Sequence, residues 1–383
     1  MSASAQAFNS PDCQQREHNM SALSGVQWRN KCLDGDVGPI PDVISYWDTP
    51  SKVILCISMA IFIALTFTGN ILVLTVIIKN KHMQTKTNAF IANLAVADLL
   101  VAIVDMPMAL ITVIEGEWVF GDTLCVLNGF TVVFFLTVSV HTLMYIAVFK
   151  YITITHPMSK MLTKTRVGYM IAAPWIWGLI ASSMGAFWLS DFTFKPGATQ
   201  CGPNYPTEAP EHAYAFIIIF SCYFVPIIVM VGSYISIFIQ IRAHLSRMKA
   251  NTTQDHDVIV SQEKQMTVTL LIMIIVFFVC WTPFMVYCIF ASAVEDKTTI
   301  PHELHALGYW LGYMNSVCNP IIYALRVPKF QDGYQKLFYI CKVQKNLPIN
   351  NEKSRSHSGS EIHMLQAIST TELNLKKSKS VFV

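Results

Sequence analysis

The chain has 383 residues, of which 53% are hydrophobic and only 13% charged, with a formal charge of +3. A soluble domain of this size would hold about a quarter charged residues, so the composition excludes a soluble globular protein. No basic stretch is interleaved with aromatics, and nucleic acid is excluded as a partner.

The apolar residues fall in seven blocks, near 53–79, 88–114, 124–155, 167–189, 213–241, 266–294 and 304–325. Each is about as long as a helix must be to cross a bilayer. The pattern predicts an all-α membrane protein, a seven-transmembrane helix bundle followed by a short amphipathic helix. Residues 1–51 form an extracellular segment, 52–327 the bundle, 328–341 the interfacial helix and 342–383 a polar, disordered cytoplasmic tail. Lys79, Lys81 and Lys86, then Lys160, Lys164 and Arg166, then Arg242, Arg247, Lys249 and Lys264 mark one side. The opposite loops carry Glu115, Glu117 and Asp122, then Glu208 and Glu211, then Glu295, Asp296 and Glu303. Positive-inside charge therefore puts the amino terminus outside and the tail in the cytoplasm.

Along the chain, residues 1–50 hold no apolar run of the cleaved-signal type, so the first span is expected to act as the insertion signal. Asn19-Met20-Ser21 is a glycosylation acceptor on the outer side. Cys13, Cys32, Cys125 and Cys201 are extracellular and able to oxidise, whereas Cys56, Cys222, Cys280, Cys288 and Cys318 lie within spans as packing residues. No metal-ligand spacing and no nucleophile–base constellation occurs, so the chain is not expected to be an enzyme. The third span, Leu124 to Thr155, exceeds what the roughly 30 Å hydrocarbon core requires and suggests a tilted helix through the middle of the bundle. After the seventh span, Phe330, Tyr334, Leu337, Phe338 and Cys341 share one helical face, with Cys341 either palmitoylated or a free thiol.

Thr68-Gly69-Asn70 stands in span one and Asn93 to Asp98 in span two. Trp177 follows in span four, Pro226 and Tyr234 in five, Cys280-Trp281-Thr282-Pro283 in six, and Asn319-Pro320-Ile321-Ile322-Tyr323 in seven. In this order and spacing, about residues 53–341 resemble the rhodopsin-like (class A) G-protein-coupled receptors. The resemblance implies a plasma-membrane receptor for an extracellular small molecule, with a heterotrimeric G protein and arrestin as cytoplasmic partners. It also implies a Cys125–Cys201 disulfide, with Cys13 and Cys32 left to pair with each other. Asp98, Ser139, Asn315, Ser316 and Asn319 match the family's sodium pocket, where buried oxygens hold either an allosteric sodium ion or a water cluster. No other cofactor is implied. Phe277, Val140 and Pro226 match the core contact that repacks on activation, though plain apolar packing explains Val140 equally well. The serines and threonines of the tail are candidate phosphorylation sites for arrestin.

Trp310-Leu311-Gly312-Tyr313 with Asn315-Ser316, together with Trp281, Phe284 and Met285, are similar to the biogenic-amine receptors. Their amine-pairing aspartate, however, falls here on Val132, and span five offers Ile218, Ile219 and Cys222 where catechol-binding serines are expected. Asp105, seven residues past Asp98, reads as two turns outward on the same face. It is either the counter-ion of a cationic ligand, beside Tyr313, or a structural acid. Tyr313 also takes the place of the retinal lysine, which excludes an opsin. Inside, the acidic-Arg-Tyr triplet of the family becomes Phe149-Lys150-Tyr151. Lysine lacks arginine's planar five-donor fork. Tyr151, Met158, Tyr234 and Tyr323 survive among the coupling residues, and Glu263 is a candidate partner for Lys150. The expectation is attenuated coupling, with a non-coupling, constitutive or decoy member of the same fold as the alternative.

Overall fold

The computed structural model describes residues 47–156, 162–195, 197–248 and 254–345, with side chains at all but 244–248, 254–267, 270, 298, 302 and 338–345. Cys13, Asn19, Cys32, Met158 and the tail beyond 345 lie outside the described residues, as do the side chains of Glu263 and Cys341. The chain divides into two compact units after Lys336, the first of which holds the bundle.

The helices are α1 (Thr49–Lys79), α2 (Lys86–Glu115), α3 (Gly121–Thr155), α4 (Lys164–Leu189) and α5 (Ala209–Ala243, helical onward to Met248). They continue as α6 (Gln254–Ala293), α7 (His302–Arg326) and α8 (Pro328–Lys345). Local chemistry sets their ends. The Thr85 and Thr163 hydroxyls accept from Asn88 N and Arg166 N at 3.3 Å and cap α2 and α4. Gly116, at φ 86°, ends α2 in the left-handed conformation that a side chain would resist.

α2 and α5 are not regular throughout. Wider π-turns span Val101–Asp105 and Phe220–Phe224, each just ahead of a proline, Pro107 and Pro226. A proline ring collides with the carbonyl four residues back and supplies no N–H, and a wide turn relieves both problems.

α3 is the centre. It packs on α2, α4 and α5, while α6 packs on α7 and α7 on α1. Of its most apolar stretch 72% is buried, against 28% for α1, which lies largely outside the core. α1 meets α7 closely at Gly69, where a Cβ would lie 2.7 Å from Pro320 Cγ. Tyr323 stacks on Phe330 at 5.4 Å and joins the end of α7 to the first turn of α8.

Among the described residues six helices, α1 to α6, are apolar and long enough to cross a membrane by composition. α7 is not among them. It carries His305, Asn315, Ser316 and Asn319, all buried, so its polarity is spent inside the bundle.

Candidate ligand cavity and its polar supports

On the outer side, strands β1 (Phe192–Phe194) and β2 (Cys201–Pro203) form an antiparallel hairpin with Phe194 opposite Cys201. The Cys125–Cys201 disulfide ties it to the head of α3, and Cys201 N donates to Asn128 Oδ1 at 3.1 Å. Phe192 packs so closely on Gly129 that a Cβ there would lie 2.7 Å from its ring. The hairpin is thus held from both its strands.

Next to it, bounded by α3, α5, α6 and α7, is a cavity with about 970 Å³ of empty space counted to its open mouth. Val132, Leu136 and Val140 of α3 and Trp281, Phe284 and Met285 of α6 give it an apolar wall. Tyr287, His305 and Tyr309 close one side in a lattice of rings, with centroids 5.1 and 4.8 Å apart. Lys195, just past β1, brings a buried cation to the same space. Its ammonium donates to Pro203 O and stands 4.7 Å over the Tyr205 ring. Burial lowers its pKa to about 8, with Cys288 and Glu211 acting in the opposite direction.

Of the residues singled out in the sequence as ligand-binding, Val132, Trp281, Phe284 and Met285 line the cavity, whereas Asp105, Trp310 and Tyr313 are not among its lining residues. Trp310 Nε1 donates to Ser58 Oγ on α1 at 2.9 Å, and the Tyr313 hydroxyl donates to Gln200 Oε1. Asp105 is fully buried, accepts from Thr131 Oγ1 at 2.7 Å, and leaves Oδ2 without a partner among the described residues. The count of two α-helical turns from Asp98 does not hold, because the π-turn over Val101–Asp105 adds a residue and shifts the phase of the helix by about 100°.

Deeper in, Asp98 gathers three of the four residues expected around it. Ser139 Oγ donates to Oδ1 at 3.2 Å, Ser316 Oγ to Oδ1 at 2.8 Å and Asn319 Nδ2 to Oδ2 at 2.8 Å. Asn315, beside Ser316, is buried with Oδ1 unpartnered among the described residues. A carboxylate, two hydroxyls and an orphaned carbonyl oxygen are the donor set a small monovalent cation takes. One turn of α6 below the cavity, Phe277 packs on Trp281 with centroids 6.3 Å apart. The tryptophan that joins α4 to the centre is Trp175, two residues before the one singled out by resemblance. Its Nε1 donates to Asn93 Oδ1 at 2.8 Å, while Asn93 Nδ2 donates to Thr142 Oγ1 at 2.8 Å.

At the inner end of α3, Phe149 is buried and packs on Phe90 at 5.2 Å, so an aromatic contact stands where the family holds a carboxylate. Lys150 is buried beside it, as are Tyr234 and Tyr323, while Tyr151 is half-buried.

Residues 69–323 match the 7 transmembrane receptor (rhodopsin family), and the chain belongs to that family. It is therefore a multi-pass membrane receptor and not an enzyme. It is similar to the High-affinity lysophosphatidic acid receptor of Xenopus laevis, 28% identical over 79% of this chain and 86% of that one. Trace amine-associated receptor 13c of Danio rerio is likewise 28% identical, over 84% and 93%. The fold matches squid rhodopsin with a TM-score of 0.69 at 21% identity, covering 83% of this chain and 98% of the rhodopsin.

Lys195, Tyr205, Tyr287, His305 and Tyr309 escaped the sequence reading. For Lys195 the available signal was a basic residue six before the disulfide cysteine, in a loop otherwise rich in aromatics.

Proposed function

We propose that the chain is a plasma-membrane receptor, amino terminus outside, that binds a small extracellular molecule in the cavity. It passes the signal to a heterotrimeric G protein, and arrestin engages it afterwards. The observation that carries this reading is Trp281, which lines the cavity and packs on Phe277 in the same helix as Pro283. A ligand pressing on Trp281 acts directly on the element whose proline lets it pivot. The likeness of α7 to the amine receptors, and the trace-amine relative, support a small-molecule ligand. Val132 takes away the acid an amine would need, and the ligands for which the two relatives are named differ in chemistry.

Coupling is attenuated in this reading, because Lys150 offers a point charge where arginine would offer a fork. Lys150→Arg is expected to raise the agonist-driven signal on the order of tenfold, the factor for about 1.4 kcal/mol of added active-state stabilisation. G-protein dissociation in transfected cells at matched surface expression measures it. A parent that stays silent across G-protein classes with agonist bound refutes coupling and leaves a decoy of the same fold.

Sodium is proposed as the allosteric ligand of the Asp98 cluster, held by Asp98, Ser139, Ser316 and Asn315. Raising sodium chloride against a choline control should weaken agonist binding in the parent. In Asp98→Asn the effect should vanish while thermal unfolding keeps its midpoint within a few degrees. An equal sodium shift in both proteins rejects the site.

A further inference from the structure

The ligand chemistry is written in which polar groups of the cavity are already engaged. Glu211 is the acid on its lining, and its Oε2 accepts from Thr207 N at 2.7 Å, Thr207 Oγ1 at 2.9 Å and Glu208 N at 3.1 Å. That carboxylate is occupied in holding the first turn of α5. Lys195 differs: its hydrogen bond goes to a carbonyl and its ammonium stands over a ring, with Glu211 acting on it only through space. A buried ammonium with only such partners is poorly compensated. On two of the lining residues, Trp281 Nε1 and His305 Nδ1 have no hydrogen-bond partner among the described residues. Each of those residues is more than nine-tenths buried. The indole N–H only donates, and the imidazole is able to donate. The orphaned groups therefore ask for acceptors, and the buried cation asks for an anion. The rest of the wall, Val132, Leu136, Val140, Phe284 and Met285, asks for hydrocarbon.

We infer that the cavity binds an anionic amphiphile, a single acidic head seated on the Lys195 ammonium with an apolar body laid along α3 and α6. This rests on the receptor reading above only in taking the cavity to be the ligand site. A carboxylate and a phosphate monoester share the required head chemistry. Asp105 takes no part, since it stands off the lining with Thr131. The groups facing Lys195 are Tyr205 of its own loop, Glu211 of α5, Cys288 of α6 and His305 of α7. Among the described residues no second lysine or arginine lines the space to compete for the head.

The test uses the full chain purified into nanodiscs of neutral phosphatidylcholine. Dodecanoate, dodecyl phosphate, dodecanol and dodecylammonium, alike in their chain, are compared by saturation binding. At least one acid is expected to bind about 30-fold more tightly than dodecanol and dodecylammonium, the factor of a charge-assisted contact. Lys195→Met should remove that preference, and Lys195→Arg, which keeps the cation, should retain most of it. In the parent the preference should decline as pH rises from 7 to 9, because the ammonium discharges through about 8. Unchanged unfolding midpoints in both variants separate loss of the contact from loss of the hairpin; if Lys195→Met does not fold, the pH series and Lys195→Arg decide. The two acids distinguish a carboxylate from a phosphate head. Preference for the ammonium, indifference to the head, or no saturable binding by either acid in the millimolar range overturns the inference. The readout is binding alone, so such a failure leaves signalling to another agonist untouched, and an acid that binds without signalling removes the coupling and not the site.

Discussion

Cys125→Ser is expected to abolish ligand binding and to leave little receptor at the cell surface. The bond closes a loop of 76 residues between the head of α3 and β2. Chain-entropy arguments assign about 2–5 kcal/mol to such a link, a large share of what a folded domain has to spare. The loss reaches beyond stability because the hairpin carries working groups. Once Cys201 is released, the Asn128 contact, the Gln200 acceptor of Tyr313 and the Lys195 ammonium all lose their anchor. Surface immunolabelling and non-reducing peptide mapping measure the outcome, and Cys201→Ser should match it. A variant that reaches the surface in parental amounts and binds normally would show the hairpin held by packing alone.

Phe149→Asp should destabilise the receptor by about 3–5 kcal/mol rather than restore the family's charge pattern. The side chain is buried on Phe90, so the exchange deletes a large aromatic contact and places a carboxylate in its remains. Pairing with Lys150 would return part of that cost. The double change Phe149→Asp with Lys150→Arg should therefore unfold at a lower temperature than Lys150→Arg alone, and its signal must be scored per folded receptor. Phe149→Leu, which keeps the site apolar, should lose much less, about 1–2 kcal/mol. Thermal unfolding of detergent-solubilised protein ranks the four. A Phe149→Asp variant as stable as the parent would mean that the inner end has room and water for a carboxylate.

The seven segments were legible in the sequence because a bilayer imposes much the same length on each of them, although α7 is less apolar than the other six. The cluster at Asp98 was legible for a similar reason, since polar residues at that depth are few and must meet. Asp105 was not. Its position depends on a π-turn, and nothing in Val101–Asp105 itself distinguishes five residues of wide turn from five of ordinary helix. Pro107, two residues later, was the clue. Lys195 was out of reach for another reason. Its place over the cavity is fixed by strand register and a disulfide 76 residues apart in sequence, not by any local pattern. Trp175 and Trp177 are likewise equivalent to a composition count, and only the rotation of α4 brings the former to Asn93.

The polarity of α7 bears on how the receptor is made. On leaving the ribosome, α1 to α6 carry enough apolar surface to partition into the bilayer one by one. Among the described residues, α7 falls short of that apolar composition. Alone in hydrocarbon, the hydroxyl of Ser316 and the amide of Asn319 would have only carbonyls of their own helix to bond, whereas in the bundle both donate to Asp98 of α2. Its entry is thus expected to depend on docking against the helices before it more than theirs does. Until it arrives, the Asp98 carboxylate is missing two of its three donors. The polar core is thus completed only by α7, and a chain stalled before residue 316 is expected to be cleared by the cell's membrane quality control.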